Sequence, residues 1–288
     1  MKPKNSSIII ALLSFALLIS FSCGPKQAYN SPAGYDLNQP EKFNMPDDLT
    51  EISGIAFNKG NAATLYSEED EDGRVYHLKL GDKSAKFTRF KKSGDFEDIA
   101  ICNGQVVMLQ SKGRLYTFPV TATDSDEISN VKKFENLLTE GEYEGIAADE
   151  KNNNIYVLCK HCNIDKTSKN TSGFIFKLLP DGSLQNSGRF EINVKHITEQ
   201  ANEEKINFHP SAIALNPRTN EWYVLSSVNK LLVVLNDNFK VKQVFHLNPR
   251  YFPQPEGMTF DNQNNLYISN EGDKIEPGNV LKFKYSGK

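Results

Sequence analysis

Apolar and polar positions along this chain alternate in short β-prone runs separated by turn residues, not at helical spacing. Residues 254–285 show the unit most clearly: Q-P-E-G-M-T-F-D-N-Q-N-N-L-Y-I-S-N-E-G-D-K-I-E-P-G-N-V-L-K-F-K-Y. Met258-Thr259-Phe260 is stopped by the turn cluster Asp261-Asn262-Gln263-Asn264-Asn265; Leu266-Tyr267-Ile268-Ser269 follows, and a third run starts at Val280, after Pro277-Gly278. One such three-stranded unit is marginal alone in water.

The chain repeats it. The openings E-I-S-G-I-A-F, F-E-D-I-A-I, Y-E-G-I-A-A-D, P-S-A-I-A-L and P-E-G-M-T-F-D align Gly54, Asp98, Gly145, Ala212 and Gly257, with intervals of 44, 47, 67 and 45 residues by subtraction. Each opening is followed by a second apolar run, such as Ile155-Tyr156-Val157-Leu158 or Trp222-Tyr223-Val224-Leu225, and then by a third. A period near 45 with three or four strands per unit predicts an all-β fold, a β-propeller of five detected blades, with six as the alternative. Helical solenoids of that period need amphipathic 3.6-residue patterns, which these β-branched and aromatic runs lack. The long third interval is assigned to two inserts, 161–172 and 194–208, the second with a short helix over 199–205. The last unit runs out of chain after its third strand. Tyr35-Asp36-Leu37-Asn38-Gln39-Pro40 resembles Phe245-His246-Leu247-Asn248-Pro249, so an N-terminal strand from Tyr35 is expected to complete the last blade and remove an open sheet edge.

The N-terminus stands outside this pattern. Residues 1–22 carry Lys2 and Lys4, then an apolar stretch over 8–19 that is short for a membrane span, then small residues before Cys23. Ser22-Cys23-Gly24 resembles the lipobox of bacterial lipoproteins, with departures at Ser20 and Phe21; simple secretory cleavage near Ser22 is the alternative. The expected layout is a lipoprotein-type signal peptide over 1–22, a tether over 23–34 lipidated at Cys23, and the propeller over 35–288. That places the chain on a bacterial cell-envelope membrane, facing the periplasm or the exterior, as a monomer. A net charge of −3 leaves no basic footprint for nucleic acid.

The openings, N-E-W-Y-V-L-S-S-V-N-K-L-L-V-V-L-N (220–236) and F-P-Q-P-E-G-M-T-F-D-N-Q-N-N-L-Y-I-S-N-E-G-D (252–273) resemble the SdiA-regulated, YjiK-like family of envelope β-propellers. The pattern P-E-G-x-x-x-D-x-x-x-N-L-Y-I-S is more loosely similar to NHL repeats and the gluconolactonase group. The resemblance implies a membrane-associated propeller and supplies no catalytic residues.

In a propeller the first strand of each blade lines the central channel, so Ser53, Glu97, Glu144, Ser211 and Glu256 are expected to form a ring. Three carboxylates converging there repel one another unless a cation, a lysine or a proton compensates. Glu97, Glu144 and Glu256 are therefore the candidate ligands of a divalent cation, calcium by preference for hard oxygen donors. The ends of the second strands, with Glu68, Lys160, Ser226, Asn270 and Glu271, are candidate channel positions, and Lys160 is the cation expected to answer the glutamates. Cys159-Lys160-His161-Cys162 reads first as structural thiols, free or paired, then as a redox pair, and last as a metal site. Among other catalytic signatures, no nucleophile elbow, phosphate loop or H-E-x-x-H is present. Two functions remain: a binding propeller for a small ligand or an envelope partner, and a metal-dependent lactonase or esterase using Glu256 and Asn270 as metal ligands.

Overall fold

The computed structural model describes residues 29–166 and 169–287. The signal segment, Cys23 and most of the tether lie outside the described residues. A short strand comes first, β1 (Glu41–Asn44), and the blades follow in chain order. Blade 1 holds β2 (Ile52–Ala56), β3 (Leu65–Glu69), β4 (Arg74–Leu78) and β5 (Lys86–Arg89). Blade 2 holds β6 (Phe96–Cys102), β7 (Gln105–Gln110), β8 (Arg114–Pro119) and β9 (Lys132–Phe134). Blade 3 holds β10 (Gly141–Asp149), β11 (Asn154–Cys162), β12 (Asn170–Leu178) and β13 (Leu184–Asn193), after which comes the helix α1 (Val194–Ala201). Blade 4 holds β14 (Ala212–Leu215), β15 (Trp222–Ser226), β16 (Leu231–Leu235) and β17 (Val241–His246). Blade 5 is β18 (Pro255–Phe260), β19 (Leu266–Asn270) and β20 (Asn279–Phe283), completed by β1. Each blade is an antiparallel sheet. The inner strands β2, β6, β10, β14 and β18 pack side by side into a closed ring, β18 against β2.

The alternation in the sequence explains the cores. A strand with both faces apolar, such as Leu231–Leu235, buries one face on each neighbouring blade. Five hydrophobic clusters result, one in each gap between adjacent blades. Leu65, Val75, Leu115, Val157, Val224 and Ile268 in those gaps are all fully buried. The registers Asp98↔Leu109, Gly145↔Leu158, Ala212↔Leu225 and Gly257↔Ser269 place the aligned opening residues at one level of the ring. Small residues at this level let neighbouring strands approach. A Cβ on Gly257 would stand 2.3 Å from Ser53 O, and one on Gly54 2.3 Å from Asp98 Oδ1.

The N-terminal strand closes the ring, but later than its sequence likeness suggests. β1 pairs with β20 through Glu41↔Lys282 to Asn44↔Asn279. The residues that resemble Phe245-His246-Leu247 precede it. Tyr35 and Leu37 instead join the core between blades 4 and 5, where the Tyr35 hydroxyl donates to Asn264 O at 2.7 Å. The likeness reflects a shared need for a buried aromatic and leucine, not a shared strand position.

The inserts also sit differently from expectation. Most of the first extends the β11–β12 hairpin of blade 3, and the helix of the second starts earlier, at Val194. Asn193 caps it, accepting from His196 N at 3.1 Å, and Asn202 ends it in the left-handed conformation. Asn at both ends outweighed the Glu/Lys-rich stretch that follows.

Candidate functional site

Register breaks mark one end of the channel. On β6 the pairing jumps from Phe96↔Gln110 to Asp98↔Leu109, leaving Glu97 as the extra residue of a β-bulge. The same break leaves Glu144 unpaired on β10 and Glu256 on β18, while Ser53-Gly54 make the equivalent irregularity on β2. A bulge re-aims the side chain of its extra residue. Here a buried anchor precedes each bulge (Ile52, Phe96, Tyr143, Pro255) and turns the next residue towards the channel.

The mouth is a cavity of about 480 Å³ lined by Ser53, Glu97, Glu144, Ser211 and Glu256, joined by Lys160, Glu271, Glu51, Asp70, His209, Ser227 and Lys230. Six of these residues are acidic and two are lysines. Lys160 pairs with Glu144. Lys160 is not alone, because Lys230 also lines the cavity, its Nζ donating to Ser227 O and Pro253 O at 2.7 Å each. Burial holds the Lys230 amine below its usual range. Among the described residues, Glu97, Glu256 and Glu271 have no ion-pair partner within 4.0 Å. One Asp70 carboxylate oxygen is buried without a hydrogen-bond partner.

Burial sets the proton affinities here. It pushes the Glu97 carboxyl up to about 7, with Ser111 donating against that rise and Asp95 adding to it. Glu271 is raised to about 7 by burial and then by the neighbouring Glu256 charge. Glu256 is raised by burial, countered by Ser227 and by Lys160 and Lys230. The cavity therefore holds acids near neutrality that an arriving cation would deprotonate.

The serines of the ring have another task. Ser53 Oγ donates to Glu97 O at 2.9 Å, Ser211 Oγ to Pro255 O at 3.0 Å, and Ser269 Oγ to Ser53 O at 2.6 Å. Each bond ties one blade to the next. Ser53 and Ser211 line the mouth while serving as blade-to-blade fasteners.

Three expected channel positions lie behind the wall, apart from the cavity. Glu68 is fully buried and its Oε1 accepts from Gly54 N at 2.7 Å. Ser226 is fully buried, donating to His209 O at 2.7 Å. Asn270 is fully buried, and its Nδ2 donates to Tyr251 O and Asn279 Oδ1 at 3.2 and 3.1 Å. Glu256 and Asn270 therefore do not converge on the cavity as a ligand pair. Strand alternation explains this: residues at the ends of second strands point into the gaps between blades, and the next residue faces the mouth.

Sequence reasoning passed over Asp98, Asp70, Glu51, His209 and Lys230. Asp98 stands where the other blades have glycine or alanine. Its Oδ1 accepts from Ile99 N and its Oδ2 from Ile146 N, both at 2.8 Å, which joins blade 2 to blade 3. An aspartate at an otherwise small position was the available signal. Burial pushes both Asp98 and Glu68 well above the usual carboxylate range.

Cys159 and Cys162 form a disulfide at the end of β11. With Asp165 they make the one group of three candidate metal donors, among the described residues, whose ligand atoms lie within 4.8 Å of one another. That cluster is able to coordinate a metal ion only when the disulfide is open, since thiolates are the ligands. The Glu97, Glu144 and Glu256 carboxylates are not drawn together to that degree.

No helix among the described residues is long and apolar enough to cross a membrane. Similar solved structures include a glutaminyl cyclase from Myxococcus xanthus (TM-score 0.57, 11% identity, 85% of this chain and 94% of the other). A luciferin-regenerating enzyme is also similar (TM-score 0.53, 11% identity, 87% and 98% covered). So is the calcium-binding protein regucalcin from Agrobacterium tumefaciens (TM-score 0.51, 9% identity, 89% and 95% covered). At these identities the likeness is one of fold. A search of curated proteins finds no match. The SdiA-regulated family model matches residues 37–274, and the chain, with its five blades closed by an N-terminal strand, belongs to that family.

Proposed function

We propose that this protein is a lipid-anchored binding propeller of the bacterial cell envelope, which takes a small ligand or protein partner at the glutamate-lined mouth. A divalent cation, calcium, is held there by some of Glu97, Glu144 and Glu256. The carrying observation is the 480 Å³ cavity in which Glu97, Glu256 and Glu271 converge without ion-pair partners. The donors fit calcium, being carboxylate oxygens with the unpartnered Asp70 oxygen at the same rim. Glu144, already paired with Lys160, is the weakest of the three expected ligands.

The placement of the N-terminus agrees with an anchor. Tyr35 is held by Asn264 and Asn216, both at turns that end inner strands, so the chain enters on the face opposite the glutamates. Six Cα-to-Cα steps lead from Cys23 to Tyr29, a reach of at most about 22 Å. A lipid at Cys23 would hold that face to the membrane and present the mouth away from it.

Calorimetric titration of calcium chloride into the full chain tests the cation, with Glu97→Gln and Glu256→Gln each weakening binding. Absence of heat in the wild type would remove the cation from the proposal. Labelling cells with a clickable palmitate tests the anchor: wild type should be marked and Cys23→Ala should not. An unlabelled, freely released wild type would overturn the anchor.

A further inference from the structure

Beside the acidic mouth lies a cavity of opposite sign, about 580 Å³ in volume. Its walls come from the two stretches that lengthen the third repeat: residues 160–166 and 169–171 of the β11–β12 hairpin, and α1 with the segment after it. Five lysines line it (Lys160, Lys166, Lys169, Lys195, Lys205) against two acids, Asp165 and Glu204, in a chain whose net charge is −3. The lysines are not spent on the acids. Asp165 is engaged by Ser172, accepting from its N at 3.0 Å and its Oγ at 2.7 Å. Lys160 is paired with Glu144 and Lys195 with Glu199, at 3.4 Å in an exposed helical pair. Lys166, Lys169 and Lys205 have no carboxylate within 4.0 Å among the described residues.

Three uncommitted ammonium groups around one concavity raise its potential and concentrate anions. Two further features favour an anion. The first turn of α1, which contributes to the wall, carries no acidic residue, so beyond the neutral Asn193 cap no side-chain charge offsets its positive end. His161 stands at the edge, where its imidazole offers a nitrogen donor; the His209 ring, with its centroid 5.4 Å away, is already engaged by Asn207 Nδ2. A cavity of this size suits a small organic ligand. The Cys159–Cys162 bridge braces the strand end that carries Lys160 and His161.

We infer that this pocket binds a ligand bearing at least two phosphate groups, held chiefly by Lys166, Lys169 and Lys205. The phosphates belong either to a lipid headgroup or to a free small molecule; lysine serves both as a compact point charge. This site adjoins the proposed cation site through Lys160 and His209, but Lys166, Lys169 and Lys205 line this pocket only. It is tested without divalent cations.

The test is a calorimetric titration of inorganic pyrophosphate into the full chain, in EDTA at low salt. Wild type is compared with Lys166→Ala/Lys169→Ala/Lys205→Ala and with a charge-matched control, Lys83→Ala/Lys240→Ala/Lys284→Ala. Saturable binding is expected for wild type, weakened about tenfold or more in the pocket variant and little in the control, and suppressed by salt. Matching melting temperatures without ligand show that both variants fold. Sedimentation with vesicles containing cardiolipin, whose headgroup carries two phosphates, then separates the sources. Pyrophosphate-competable pelleting assigns the lipid headgroup; its absence assigns a soluble ligand. Failure of pyrophosphate to saturate the wild type, or equal weakening in both triple variants, overturns the site.

Discussion

The two ends of the channel are built from the same five strands and obey different rules. At the mouth stand Ser53, Glu97, Glu144, Ser211 and Glu256, with three acids and two serines among them. Two residues further along each strand stand Ile55, Ile99, Ile146, Ile213 and Met258, none more than 5% exposed. The second ring meets around the axis, where a polar group would find no water and no partner, so every blade must supply an apolar side chain. The first ring is reached by water, and each blade settles its charge locally: Glu144 with Lys160, the serines with neighbouring carbonyls, Glu97 and Glu256 with hydroxyl donors. The apolar ring lines a cavity of about 300 Å³ at the opposite end of the channel and stands between it and the mouth. A ligand of the mouth therefore enters and leaves by one face, and the chain's N-terminal segment approaches the other.

The largest expected effect comes from that other face. Deleting residues 35–44 removes β1 from the β20 edge and Tyr35 from the core between blades 4 and 5. Loss of one large buried aromatic costs about 3–5 kcal/mol by itself. The deletion should exceed that and expose a sheet edge that promotes aggregation. A urea-unfolding midpoint unchanged from wild type would contradict closure by β1.

Next in size is a contrast between the two rings. Ile146→Ala should destabilise by about 2–5 kcal/mol, since it opens a cavity in the apolar ring. Glu97→Gln, one blade away in the acidic ring, should cost under about 1 kcal/mol or stabilise the fold in EDTA, because it relieves repulsion at the mouth. Equal losses for both in denaturant titrations would erase the distinction between the rings.

These contrasts also show what could be read from the residues beforehand. The repeat was legible because each opening joins an apolar run to a turn cluster, at an interval near 45 in three of four cases, and register confirms the alignment of Asp98, Gly145, Ala212 and Gly257. The closing strand was legible from the missing fourth strand, though its start was not: Tyr35 and Phe245 look alike because both are buried, which does not make both of them strand residues. Glu97, Glu144, Glu256, Lys160 and Glu271 come to one cavity. Glu68, Ser226 and Asn270 do not, because at the end of a second strand the side chain turns into the gap between blades, which the hydrophobic pattern of the strand does not reveal. Asp70 and Lys230 come from loops that no strand periodicity places.

A smaller effect tests the reinforcement of the mouth at blade 3. Cys159→Ser/Cys162→Ser opens a bridge with a sequence separation of only 3, whose loop-closure contribution is about 2 kcal/mol or less. Stability should fall by that amount while the other blades keep their amide protection in hydrogen exchange. Loss of protection throughout would show that the bridge supports the whole ring.

A further effect is the pH dependence. Glu97 and Glu271 are each raised to about 7 from the ordinary 4.5, so between those values the folded chain binds more protons than the unfolded chain. Their contribution to stability is complete below about pH 4.5 and is lost as pH rises through 7. In EDTA the melting temperature of Glu97→Gln should therefore fall less than that of wild type between pH 5 and pH 7.5. Parallel curves would show that Glu97 titrates as an exposed acid.

The most direct measurement compares melting with calcium and with EDTA at pH 7.5, on wild type and on Glu97→Gln/Glu144→Gln/Glu256→Gln. Calcium at a hundredfold excess over its Kd should stabilise wild type by about 2.7 kcal/mol and leave the triple variant unmoved. A wild type indifferent to calcium, with a triple variant as stable or more so, would contradict a cation at the mouth.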